Sequence, residues 1–138
     1  PSAEPPPAEH EPLAEAEVLE RTGEESLGEV RELALRERGL RDADLAPLLP
    51  GMPALEAASF SHNRISSLGG FGLHLRCLTH LNVNSNALTS LEGLQGLARL
   101  ESLHASNNRV RDLGPCACLP SLATLELYRN AVARLDEC

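Results

Sequence analysis

Four asparagines, Asn63, Asn86, Asn108 and Asn130, recur at spacings of 23, 22 and 22 residues inside one frame of apolar positions. Eight, five and three places before them stand Leu78, Leu81 and Val83, then Leu100, Leu103 and Ala105, then Leu122, Leu125 and Leu127, the pattern LxxLxLxxN. Leu55, Ala58 and Phe60 before Asn63 follow it more loosely, and Val30, Leu33 and Leu35 repeat it once more with Arg38 in the asparagine slot. Two places after the slot come Leu40, Ile65, Leu88, Val110 and Val132, and five places after it Leu68, Leu91, Leu113 and Leu135. A unit this short cannot bury its own apolar face, so the repeats must stack, as about five coils of a solenoid around one shared core.

Each position has a physical reason. The LxL pair straddles one outward residue, so a short strand of period two sends both leucines inward and the residue between them to the opposite face. The asparagine turns the chain, and its amide carries both a donor and an acceptor for backbone groups that the turn would otherwise bury unpaired. Asn63, Asn86, Asn108 and Asn130 are therefore expected to form a structural ladder and to have no catalytic role. The longer first spacing, from Arg38 to Asn63, contains Pro47, Pro50, Gly51 and Pro53, which mark a connection on the convex side, and Gly69, Gly70 and Gly72 read as loop glycines in the next coil.

The charge is uneven. Residues 1–45 carry 13 acidic and 5 basic side chains, whereas residues 46–138 carry 7 of each. An acidic first segment repels a phosphate backbone and attracts a basic partner. Phe60, Phe71 and Tyr128 are the only aromatic residues, too few for a base-stacking surface, so nucleic acid is not expected as a ligand. Every basic residue is arginine, which excludes a phosphate-loop lysine and a Schiff-base lysine. Cys116 and Cys138 fall in the inward column that Phe71 and Leu94 occupy in earlier coils and read as core thiols, with a disulfide between stacked coils as the alternative; Cys116 and Cys118 alone make no metal site. With no N-x-S/T sequon, no signal peptide and no run of 18 apolar residues, a reducing, cytoplasmic setting away from the membrane is expected.

The pattern divides the chain into three parts. Residues 1–12, PSAEPPPAEHEP, read as a disordered acidic, proline-rich arm. Residues 13–27 read as an N-terminal capping helix and linker, with Leu13, Ala16 and Leu19 on its apolar side and Gly23 as its stop. Residues 28–138 read as the repeat domain, which the missing polar cap after Cys138 marks as C-terminally incomplete, and the absent initial methionine reads as the sign of a fragment of a longer protein.

The strand segment LxxLxLxxN and the segment that follows it, as in Asn86-Ala-Leu88-Thr-Ser-Leu91-Glu-Gly-Leu94, resemble the 22-residue intracellular leucine-rich repeat class typified by a regulatory subunit of protein phosphatase 1. The resemblance covers roughly residues 28–138. It implies an α/β fold, a right-handed leucine-rich repeat solenoid with a parallel concave β-sheet and short 3-10 or α segments on the convex side. It also implies protein binding without naming the partner. Leu125-Glu-Leu-Tyr128-Arg-Asn130 is similar to a strand of centrosomal and ciliary members, where a tyrosine precedes the asparagine.

Counting back six, four, two and one places from each asparagine gives the residues expected on the concave face, among them His62, His80, Asn82, Asn84, His104, Ser106, Glu126, Tyr128 and Arg129. Tyr128 and Arg129 are the types that most often anchor interfaces. His80 and His104 lie on neighbouring strands with no third ligand converging on them, so no metal or other cofactor is expected. No serine elbow and no nucleophile with an adjacent base stands out, and an open shallow face excludes little water. The chain reads as no enzyme but as a scaffold subunit of a larger complex, in a cytoskeletal, centrosomal or ciliary (axonemal) assembly; the alternative is a regulatory subunit that docks on an enzyme such as a protein phosphatase. A sheet of five short strands offers roughly 300 Å² against about 800 Å² per partner in an ordinary interface, so the loop edges or further coils must contribute.

Overall fold

The computed structural model describes residues 13–111 and 119–131. The acidic arm, Leu113, Cys116, Cys118, Val132, Leu135 and Cys138 lie outside the described residues. Five three-residue strands, β1 (Glu32–Ala34), β2 (Ala57–Ser59), β3 (His80–Asn82), β4 (Ser102–His104) and β5 (Thr124–Glu126), pair in parallel in chain order. The register is that of the sequence repeat. Leu33, Ala58, Leu81, Leu103 and Leu125 stand side by side, so each coil contributes its middle strand residue to one apolar row. The same alternation fixes the outer rows as Glu32, Ala57, His80, Ser102 and Thr124, and Ala34, Ser59, Asn82, His104 and Glu126.

Behind the sheet, the two columns that follow the asparagine close the core. Leu40, Ile65, Leu88 and Val110, and Leu68 and Leu91, are buried completely. Phe60 and Phe71 meet edge to face with centroids 6.1 Å apart, filling the wider second coil. The proline-containing first connection folds as α2 (Asp42–Leu45) and a 3-10 turn at Leu49–Gly51. The Asp42 carboxylate accepts from the Ser66 and Ser67 amides at 2.7 and 3.2 Å and from the Ser66 hydroxyl at 2.7 Å, tying the first coil to the second.

Gly72 is not a loop glycine. It lies in the short helix α3 (Phe71–His74), donates its N–H to the Gly93 carbonyl at 2.7 Å, and a Cβ there would run into the carbonyl oxygens of Gln95 and Gly93. Consecutive coils touch backbone to backbone at this point.

The N-terminal end is closed by α1 (Glu15–Thr22), which stops at Gly23 in the left-handed region (φ 79°), where the Gly23 N–H returns to the Leu19 carbonyl. Its apolar face differs from the sequence expectation. Val18 is fully buried and Leu19 partly, whereas Ala16 is exposed. Leu13 packs on the core from extended backbone ahead of the helix, so its phase does not carry into the helical turns. The rotation brings Glu17 onto Arg38, the residue in the asparagine slot of the first coil. Both Glu17 oxygens accept from the Arg38 guanidinium at 2.9 Å, and Arg21 Nε adds a third bond at 3.2 Å. The hydrogen bonds and charge of Arg38 hold the Glu17 carboxyl below the usual glutamate range. No helix among the described residues is long and apolar enough to cross a membrane.

Candidate functional site

The asparagines bind backward, each to the coil before its own. Asn108 Nδ2 donates to the carbonyls of Ala105 and Ser106 in its own coil and of Val83 in the previous one, at 3.0 to 3.1 Å, while its Oδ1 accepts from the Asn86 and Leu88 amides at 3.1 and 3.0 Å. Asn63 repeats this with Leu35, Phe60, Ser61, Arg38 and Leu40, and Asn86 and Asn130 make shorter versions. In the first coil there is no earlier coil of this kind to bind. Arg38 reaches the capping helix instead.

Directly before the slot, Glu37, His62, Ser85, Asn107 and Arg129 all adopt left-handed backbone, with φ between 53° and 60°. None is glycine, so each carries a strain of about 1 kcal/mol. The turn gains a cross-coil bond in return: the amides of Glu37, His62, Ser85 and Asn107 donate to the next coil's Ser61, Asn84, Ser106 and Tyr128 carbonyls. The column two places before the slot is a second polar ladder. Asn84 Oδ1 accepts from the Ser106 amide at 2.7 Å, and Ser106 Oγ accepts from the Tyr128 amide at 3.0 Å. Ser106, expected on the open face, is 5% exposed, and its hydroxyl is turned into this ladder rather than toward a partner. Asn84 is also half-buried, and Asn82 Oδ1 accepts the Asn84 amide at 2.9 Å.

Among the described residues, the concave face holds a groove of about 810 Å³ at its N-terminal end. Its floor is made of the short outward side chains Ala34, Ala57 and Ser59 on β1 and β2. The end of α1 and the residues after it, Arg21, Thr22 and Glu24, form one wall; Arg31, Glu32 and Glu56 form the rim where the strands begin; the taller His80, Asn82 and His104 close the far side. Six of the residues expected on the concave face by counting from the asparagines, Ala57, Ser59, His80, Asn82, Ser102 and His104, therefore share this groove. Exposed His62, Tyr128 and Arg129 lie outside it, and Tyr128 stands 72% exposed. Glu32 and the helix wall were missed by counting from asparagines, because coil one has none, and Glu56 falls one place ahead of the positions counted from Asn63. Counting back from Arg38 would have found Glu32 and Ala34.

On β4 and β5 the outward residues are joined. Glu126 Oε1 lies 2.7 Å from His104 Nδ1, and Ser102 Oγ lies 3.0 Å from His104 Nε2. An ionised carboxylate only accepts, so Nδ1 carries the hydrogen, and in the neutral ring Nε2 accepts from the serine hydroxyl. This corrects the expectation that no nucleophile has an adjacent base. It does not make a hydrolytic centre: the Ser102 amide is spent on the Thr79 carbonyl in the sheet, and the face is open to water. The relay instead locks the imidazole in one orientation. His80 is held separately, its Nδ1 2.9 Å from Thr79 Oγ1, and among the described residues no group of three or more His, Cys, Asp or Glu could hold a metal ion.

Five parallel strands in unbroken register, each followed by an asparagine or arginine turn, agree with a family model described as leucine rich repeats (2 copies), which matches residues 98–137. The fold is a leucine-rich repeat solenoid. Among curated proteins, the U2 small nuclear ribonucleoprotein A' of Homo sapiens is 37% identical over 122 residues, 85% of this chain and 47% of that protein. Geranylgeranyl transferase type-2 subunit alpha of Bos taurus is 34% identical over 111 residues, 78% of this chain and 19% of the relative. The chain thus spans less than half the length of either. Among solved structures, internalin C2 of Listeria monocytogenes superposes with a TM-score of 0.71 at 25% identity over 78% of this chain and 46% of its own. The Drosophila melanogaster SNF/U2A' complex contains a chain with a TM-score of 0.63 at 24% identity, over 73% of this chain and 59% of that one, a likeness of fold.

Proposed function

We propose that this leucine-rich repeat chain is a non-enzymatic protein-docking module, a scaffold subunit that receives a partner on the N-terminal half of its concave face. The observation that carries the reading is the groove: short side chains on β1 and β2 leave an unfilled hollow that the capping helix walls on one side. A hollow with a wall offers a partner more buried surface than the flat sheet, which is too small alone. The relatives support a subunit role, since one is named as a ribonucleoprotein component and a similar fold is solved within a complex called SNF/U2A'.

Two narrower placements follow from different observations. Tyr128 ahead of Asn130 supports a cytoplasmic scaffold in a cytoskeletal, centrosomal or ciliary assembly. The similarity to U2 small nuclear ribonucleoprotein A', which covers 85% of the chain, supports a protein-binding subunit of a ribonucleoprotein instead. The regulatory-subunit alternative, docking on a phosphatase, calls for an acidic and aromatic concave face over several coils; here the acidic residues gather at the N-terminal rim, with Glu126 on the fifth strand bonded to His104.

A photo-activatable residue at His80 in the groove and another at Leu73, 64% exposed on α3, test the reading in cell extract. Capture of one protein from His80 and not from Leu73 is expected. Tubulin, dynein or a centriolar protein would place the chain in the first assembly, a spliceosomal protein in the second, and a phosphatase catalytic subunit in the third. Capture from Leu73 alone would refute docking on the concave face.

A further inference from the structure

The charges of the groove are unbalanced, and the imbalance describes its occupant. Both arginines that line it are engaged: Arg21 Nε donates to Glu17 at 3.2 Å, and Arg31 lies 3.7 Å from Glu56. Glu24 and Glu32 line the same groove, are exposed, and form no ion pair among the described residues. Between these carboxylates and the far wall lies a floor of methyl-sized side chains, Ala34 and Ala57. A hollow with an apolar floor and free carboxylates on its helix wall and its strand rim matches a side chain with an aliphatic stem and a cationic head.

We propose that the groove receives an arginine- or lysine-bearing segment of a partner protein, its cation at Glu24 and Glu32 and its stem across Ala34 and Ala57. The proposal rests on the docking reading above and adds the chemistry of the partner. The 13 acidic against 5 basic residues in positions 1–45 extend the same attraction beyond contact range and favour fast encounter at low salt. The groove's other polar residues do not oppose it. His80 and Ser59 can accept or donate, and the Glu126–His104 pair keeps a carboxylate close to the far wall.

The test uses the whole 138-residue chain and a fluorescein-labelled, alanine-rich helical peptide with arginine at every fourth position, read by fluorescence anisotropy. A glutamate version of the peptide serves as its counterpart. The arginine peptide is expected to bind, and the double reversal Glu24→Lys/Glu32→Lys to weaken it roughly tenfold. Glu92→Lys, an exposed reversal away from the groove, should leave affinity unchanged. Equal weakening by Glu92→Lys, equal binding of the glutamate peptide, or no binding of the arginine peptide would each overturn the proposal.

Amide shifts of the unmodified protein guard against a misfolded variant. Peptide-induced changes at Ala34, Ala57 and Ser59 support the assignment, and changes confined to other coils refute it. Sedimentation equilibrium covers the remaining occupant: a dimer dissociated by Glu32→Lys would give the groove to a second copy and overturn the proposal. His80 cross-linking separates the two readings. If it captures a partner while the arginine peptide is refused, docking stands and the cationic chemistry falls; if the peptide binds while His80 captures nothing, the reverse holds.

Discussion

The two ends of the concave face are built on one backbone and do opposite things with it. At β1 and β2 the outward positions are alanines and a serine beside unpaired glutamates, and the result is a walled hollow. At β4 and β5 the corresponding positions are Ser102, His104, Thr124 and Glu126, and all but Thr124 bond to one another and fill the surface. The inward residues hardly differ between the halves. In a solenoid the repeat specifies the coil, and the residues that the repeat leaves free specify what each coil can bind.

The ladder is common to both halves, so removing a rung should have the largest effect, with its size depending on burial. Asn108 is 8% exposed and satisfies five backbone groups. Asn108→Ala is expected to cost about 3–5 kcal/mol in urea unfolding, because those groups are left buried and unpaired. Asn130 makes three such bonds and is half-exposed. Asn130→Ala should cost only about 1–2 kcal/mol, since water can replace part of what is lost. Equal costs would mean that the ladder does not weaken toward the fifth strand.

Next in size is the backbone contact behind the sheet. Gly72→Ala forces a methyl group against the Gln95 and Gly93 carbonyls, neither of which is the movable end of a side chain. A loss of about 2 kcal/mol is expected in the same assay. A neutral result would show that the coils can part there without disturbing the groove in front.

Sequence and structure agree where the coil repeats and part where it does not. The apolar columns, the parallel register and the ladder could be read because they repeat, and a repeated error of chance is improbable. The groove could not, because it depends on residues that break the repeat: Arg38 in the slot, and the α1 wall, whose orientation follows Val18 and Glu17 rather than the expected Ala16. Ser106 was misplaced for a related reason. The alternation that sends a residue outward ends with the strand, and beyond it the next coil's amide decides where a serine points. The Ser102–His104–Glu126 relay spans two coils and carries no linear signature.

The closed end should also respond to acid. Arg38 lowers the Glu17 carboxyl in the folded chain, so the pair's contribution is fully present above the ordinary glutamate range and is lost as the pH falls through the lowered value. Glu17→Gln is expected to cost about 1–2 kcal/mol at neutral pH, as a partly buried bidentate pair would. The difference between the two proteins should shrink to nothing at the acid end of a pH series of urea midpoints. A difference that persists undiminished below the folded titration would mean that glutamine disturbs the packing of α1, and that charge does not hold the wall of the groove in place.

The smallest effect is expected at the filled end. Glu126→Gln keeps the size of the side chain and removes the charge, and both His104 and Glu126 are partly exposed, so stability should change by less than about 1 kcal/mol. The ring should respond where the fold does not. With Glu126 present, Nδ1 carries the hydrogen; a glutamine amide can donate as readily as accept, which frees the ring to place its hydrogen on Nε2 and turn Ser102 into the acceptor. Imidazole nitrogen shifts of His104 should therefore move from the Nδ1–H form toward a mixture, while those of His80, held by Thr79, stay fixed. If His104 kept its form in the variant, Ser102 rather than Glu126 would be setting the ring, and the contrast between a filled and an open half would rest on one strand instead of two.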